Sequence, residues 1–306
     1  FAPACVLQVL FQSYFVTAGR PTLGLLLSIG SGVSNAVLDY LFIVVFQLGV
    51  AGAALATGIG QCIPAVVGLI FFLTNNQGLH FTKFSFYKRE LLQACYNGSS
   101  EMVSQLSMAV VTVLFNIVLM RIAGEHGVAA ITILLYGQFL FNSFYLGFSI
   151  GVAPIVGFQY GARNKVLLRR VYRISFLFVI ASSIFLLGAA EALSRPIITI
   201  FTHDAETFPL ALTGFRLFAF CFLFSGVNIT SSGFFTALSN GRVSAILSFC
   251  RTFVFTAVCL IVLPHFLGIN GAWIAVPTAE ALTLLISLYM HQKYFVRPGK
   301  QNYFAE

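Results

Sequence analysis

The chain has 306 residues, 58% apolar and only 8% charged, with a mean hydropathy of +0.92. A soluble domain carries roughly 25% charged residues, so the composition argues against a soluble enzyme, a disordered tail or a disulfide scaffold and for a polytopic membrane protein. The formal charge of +8 comes from 17 basic and 9 acidic residues; the basic ones lie between apolar runs, which points to a bilayer and not to nucleic acid.

Nine segments have the length and apolar content of a spanning helix: 1–18, 22–46, 51–73, 92–121, 127–158, 168–190, 207–238, 243–264 and 270–292. Turn residues separate them, among them Gly19-Arg20-Pro21, Asn240-Gly241-Arg242 and the stretches Gly49 to Gly52 and Gly268 to Gly271. Uninterrupted runs of this length predict helices, which satisfy their own backbone groups in lipid. Thirteen Lys and Arg fall on one set of alternate ends and only Arg121 and Arg195 on the other. The crowded side is therefore expected to be cytoplasmic, with the C-terminus inside and the protein in the plasma (inner) membrane. Six single cysteines sit within apolar segments with no CxxC or Cys/His cluster, as small buried hydrophobes do. The chain opens at Phe1 inside an apolar run without a basic n-region. That is no signal peptide, and it reads as a chain whose first part is missing.

An internal repeat sets the organisation. Gly19-Arg20 opens a span ending in Leu48-Gly49-Val50-Ala51-Gly52-Ala53, and Gly241-Arg242 opens another ending in Leu267-Gly268-Ile269-Asn270-Gly271-Ala272. Six predicted spans separate the copies, an even number, so both cross in the same sense, as in a parallel repeat of six helices. The expected division is a partial N-terminal lobe over 1–75, holding the last three helices of its unit, and a cytoplasmic linker over 76–91. A complete six-helix lobe over 92–292 and a cytoplasmic tail over 293–306 follow. Three further helices upstream would make twelve.

Four motifs in order carry a resemblance. Asn35-Ala-Val-Leu-Asp39 with Gly49-Val-Ala-Gly-Ala-Ala-Leu-Ala-Thr57 and Gln61 resembles the fifth and sixth helices of the multidrug and toxic compound extrusion (MATE) family. Gly147 with Pro154-Ile-Val-Gly-Phe-Gln-Tyr-Gly-Ala-Arg-Asn164 resembles its eighth helix, and Gly271-Ala-Trp-Ile-Ala-Val-Pro-Thr-Ala-Glu280 its twelfth. The resemblance implies an all-α membrane protein of two pseudo-symmetric six-helix lobes, with nine helices present here. It implies export of amphipathic, often cationic compounds against inward Na+ or H+, with no cofactor beyond that ion, by a monomer in the bilayer. The first-helix acid that many members use for the coupling cation lies outside this chain, and 218–238 has Asn228 but no carboxylate. The coupling ion stays open.

Ionisable groups at membrane depth are functional candidates by default. Asn97, Glu101, Gln105 and Met108 share a helical face, and the family places a seventh-helix glutamate near Glu101. A buried carboxylate can hold a proton or a substrate cation, and competition between them is the physical content of antiport. Glu280 sits about 10 residues into the last span and corresponds by the repeat to Gln61; it either lines the cavity or pairs with Arg251. Gln138, Asn142 and Tyr145 make a polar face that turns to a cavity or to another helix, and Asn228 is a weaker case of the same kind. Asn35 and Asp39 share a stripe read as structural closure of the lobe. Pro64, Pro154 and Pro277 fall within spans and are candidate hinges.

No HExxH or Walker A motif is present, so an enzyme is not expected. The rival readings are a lipid or lipid-linked oligosaccharide flippase, whose cavity needs several basic residues for a pyrophosphate, and a non-transporting fragment.

Overall fold

The computed structural model describes residues 1–75, 78–82, 85–296 and 302–304, without the side chains of Asn97, Ser100, Glu101 and Ser104. The described residues are nearly all helical, with no strand among them. They fall into two compact units, Phe1–Phe86 and Tyr87–Glu306.

The first unit holds α1 (Ala2–Thr17), α2 (Pro21–Asp39), which runs on into a π-helical turn Tyr40–Val45, and α3 (Gly49–Thr74). Pro21 starts α2 at the first helical position, where its missing N–H costs nothing. α1 has only 16 residues, about 24 Å at 1.5 Å per residue, so it is shorter than the span expected over 1–18. Small residues let the helices approach, the means of association left where lipid removes the hydrophobic drive. A Cβ on Gly60 would lie 3.2 Å from the Asn35 Cβ, and one on Gly52 2.9 Å from the Phe42 Cβ. Phe11, Phe15 and Phe72 fill the α1–α3 contact, the last two with ring centroids 5.3 Å apart.

The second unit opens with α4 (Lys88–Gly161), two helices joined at Gly124. Gly124 has φ 61° and ψ −148°, a conformation closed to side-chain-bearing residues, so the break expected between 121 and 127 rests on this residue. α5 (Lys165–Phe201) is longer than the 168–190 expected. Asn164 caps it by accepting the Leu167 N–H at 3.0 Å, and it continues past Arg195 and through Pro196. The span expected over 207–238 is a bent pair, α6 (Thr207–Ala219) and α7 (Cys221–Ala237), turned by 49° at Phe220. α8 (Gly241–Phe249) passes through a π turn, Cys250–Phe255, into α9 (Thr256–Leu267). Gly268, at φ 57°, turns the chain into α10 (Ile269–His291), which ends in a third π turn, Gln292–Val296. Among the described residues, with α4 counted as two apolar helical segments and α6–α7 and α8–α9 as one each, this unit has six. In both repeat copies the first helix of the closing hairpin carries a π turn.

Trp273 is fully buried at the centre of the second unit, with Phe115, Phe215, Phe218 and Phe222 around it. A Cβ on Gly214 would stand 3.0 Å from its indole. The tail folds back. The Tyr303 N–H donates to the Tyr294 carbonyl at 2.9 Å, the Tyr303 hydroxyl accepts from Asn240 Nδ2 at 3.1 Å, and the Phe304 ring meets Tyr172 and Phe295.

Candidate functional site

Polar groups cluster separately in each unit, and each cluster sits at a π turn. Such turns displace the backbone ladder and occur often at functional positions.

In the first unit, the α2 face toward α3 carries Ser31, Asn35 and Asp39. The Ser31 hydroxyl donates to the Gly60 carbonyl at 2.6 Å, and Asn35 Nδ2 reaches Thr57 Oγ1 at 3.4 Å. Asp39 is one turn further on, between Asn35 and Phe42, and its Oδ1 is buried with no hydrogen-bond partner among the described residues. A buried acceptor in this state is costly, so the stripe does not close at Asp39 as its Ser and Asn members do. Gln61, on α3, is half-buried.

In the second unit, Glu280 of α10 is enclosed. Asn228 Nδ2 on α7 donates to its Oε2 at 2.7 Å and to its backbone carbonyl at 2.9 Å. Asn228 Oδ1 in turn accepts from the Ser287 hydroxyl at 2.9 Å. The other carboxylate oxygen, Oε1, faces Arg251 Nη1 at 3.5 Å, with side-chain exposures of 6% for Glu280 and 18% for Arg251. The pairing of Glu280 with Arg251 considered from the sequence is thus present, with Asn228 as a third member.

The face of Gln138, Asn142 and Tyr145 divides. Tyr145 is wholly buried; its hydroxyl donates to the Phe222 carbonyl at 2.9 Å and lies 3.1 Å from Ser183 Oγ, riveting α4 to α5 and α7. Asn142 is half-buried and its Oδ1 accepts from the Ser225 hydroxyl at 3.1 Å; Gln138 is half-buried on the same face. Gln105 is exposed on α4, while the Asn97 and Glu101 side chains lie outside the described residues. Pro64, Pro154 and Pro277 stand inside α3, α4 and α10, which continue through them.

Three groups escaped the sequence reading. Thr57 and Ser287 serve as partners, and His291 bonds Tyr172 at 3.1 Å through Nδ1 and Ser231 at 2.7 Å through Nε2. The signal for two of these was a polar stripe on α10, with Glu280, Thr283, Ser287 and His291 at helical spacing.

Outside the spans, the loop before α6 is tied by Asp204. Its Oδ2 accepts from the Thr207 hydroxyl and from the Thr207 N–H, each at 2.7 Å. These bonds, the hydroxyl's first, hold the Asp204 carboxyl below the usual carboxylate range. His126, just past the α4 break, reaches Asp204 at 3.3 Å and Glu206 at 3.1 Å.

Comparison with known proteins decides the family. The MatE family model matches residues 102–262, just over half of the chain. The chain belongs to the MatE family. It is similar to the multidrug export protein MepA of Staphylococcus saprophyticus, 22% identical over 303 residues, covering 94% of this chain and 63% of the relative. The MepA of Staphylococcus haemolyticus is 21% identical over 290 residues, with 94% and 64% covered. Among solved structures, a mutant of the Vibrio cholerae MATE transporter VcmN superposes with a TM-score of 0.86 at 21% identity, covering 95% of this chain and 66% of that one. A MATE protein in complex with MaL6 gives 0.84 at 22% identity, covering 94% and 66%. The fold is thus that of MATE transporters, a family of membrane transporters and not of enzymes, and the chain spans less than two thirds of the length of these relatives.

Proposed function

We propose that this MatE chain forms part of a secondary active exporter that moves amphipathic organic cations outward in exchange for Na+ or H+. The observation that carries the reading is Asp39, whose buried Oδ1 has no partner among the described residues. A buried carboxylate oxygen at membrane depth with no partner among the described residues is relieved by a proton or a small cation, and both are coupling ions. One turn before it, Asn35 is bonded to Thr57, so the same stripe carries neutral oxygens, the donor type that hard cations prefer. Glu101 is the second carboxylate in this proposal, as the group where substrate and coupling ion compete. The placement is the plasma membrane with the tail in the cytoplasm, argued from the Lys and Arg asymmetry, and the working unit is a monomer. A flippase reading has less support, since a pyrophosphate calls for several basic residues, and Arg251, the mid-span arginine, faces the Glu280 carboxylate.

The test is cationic dye efflux from everted vesicles carrying the full gene product, under separate Na+ and H+ gradients. Asp39→Asn is expected to lower efflux roughly tenfold or more under whichever gradient drives it. Unchanged efflux at equal membrane abundance overturns the reading.

A further inference from the structure

We propose that the Glu280 cradle is an exchangeable cation site whose resident occupant is the chain's own Arg251, and that the external cation it accepts carries a planar amidinium or guanidinium head. This deepens the export reading and rests on it for the direction of transport, but not for binding.

The carboxylate is held rigidly from behind. Asn228 fixes Oε2 at 2.7 Å and is itself fixed twice, by the Glu280 carbonyl at 2.9 Å and by Ser287 at 2.9 Å. Every polar atom of the Asn228 amide is thereby engaged, so Oε1 is left as the oxygen presented to a cation.

The cation in front is held loosely. Arg251 Nη1 stands 3.5 Å from Oε1, whereas charge-assisted N–H···O bonds close to about 2.7–2.9 Å and Arg–carboxylate pairs are often bidentate. The Arg251 side chain is three times as exposed as its partner. It also springs from the π turn Cys250–Phe255, where the backbone is out of α register. A rigid carboxylate facing a loosely seated, partly exposed guanidinium is the arrangement expected of a site filled by a tethered ligand. Displacement of Arg251 swings its head outward on a flexible stem, and the incoming head must match what it replaces: planar, delocalised and rich in N–H donors. A compact, strongly hydrated ammonium or Na+ is a poorer match.

The test uses benzamidine, a planar amidinium on an aromatic ring, with the full chain in lipid nanodiscs. In Arg251→Ala, benzamidine is expected to raise the thermal midpoint saturably, with an apparent affinity about tenfold or more tighter than for the unsubstituted protein. Choline is expected to do neither, and Arg251→Ala/Glu280→Gln is expected not to respond. A flat response in Arg251→Ala, or an equal one in the double variant, overturns the proposal. Should Arg251→Ala not fold, the unsubstituted protein serves: saturating benzamidine is expected to increase amide hydrogen exchange over 250–255, and not in Glu280→Gln. No increase, or an equal increase in Glu280→Gln, overturns it. Efflux that needs Asp39 but leaves the Glu280 cradle indifferent to benzamidine would sink this inference and spare the export reading.

Discussion

Asn228 holds Glu280 twice, through the backbone carbonyl at 2.9 Å and through Oε2 at 2.7 Å, across 52 residues of sequence. One amide therefore joins α7 to α10 and aims the carboxylate of α10 at Arg251. Taking charges out of water is costly, and removing one partner of a buried pair typically costs about 3–5 kcal/mol because the other is left uncompensated. Arg251 is partly exposed, so the lower end of that range applies. Glu280→Gln and Arg251→Gln are each expected to lose about 3 kcal/mol, read as unfolding in nanodiscs. The double variant is expected to lose less than either single one. Additive losses would mean that the two side chains do not interact.

Gly226 is where α7 passes Tyr145 and Ser183. A Cβ there would stand 2.5 Å from Tyr145 Cε1 and 2.7 Å from Ser183 Oγ. Gly226→Ala is expected to push the phenol off its bonds and cost about 1–3 kcal/mol. Adding Tyr145→Ala, which removes one of the two obstacles and leaves Ser183 Oγ, is expected to shrink the cost of the added methyl. Comparison of the single and double variants by thermal unfolding checks this.

Asp39 carries an acceptor that the fold leaves unsatisfied. Asp39→Leu is expected to leave stability unchanged or raise it by about 1 kcal/mol, while ion-driven efflux is lost. A variant that is destabilised by several kcal/mol would show Asp39 to be a packing group. Thermal unfolding and vesicle efflux on the same preparation separate the two outcomes.

The Asp204 tie makes the loop before α6 sensitive to acid. Its carboxyl titrates lower in the folded chain than in the unfolded one. The stabilisation is therefore fully present above the ordinary aspartate range, and is lost as pH falls through the lowered folded value. Hydrogen exchange at the Thr207 amide is expected to stay slow at neutral pH and to lose protection only in strong acid. In Asp204→Ala the protection is expected to be absent throughout.

Much of this fold was legible because apolar runs of spanning length and their Gly and Pro breaks report directly on lipid. The turn at Gly268 and the break at Gly124 fell where segments were divided. The far end of α5 was not legible: Glu191, Arg195 and Pro196 signal an ending, yet the helix carries them on to Phe201. The 49° bend at Phe220 also left no mark, since an apolar run reads alike whether straight or bent. At the candidate sites, the residue types were visible and their partners were not. Asn228 could face anything until α7 is laid against α10. Asp39 matches its stripe by spacing, and only its surroundings reveal that no described residue answers its Oδ1.

The folded-back tail has a practical corollary. Tyr303 and Phe304 are stitched to the ends of four helical segments, through Asn240, Tyr160, Tyr172 and Tyr294. A reporter or purification handle placed directly behind Phe304 would therefore tug on the bundle itself.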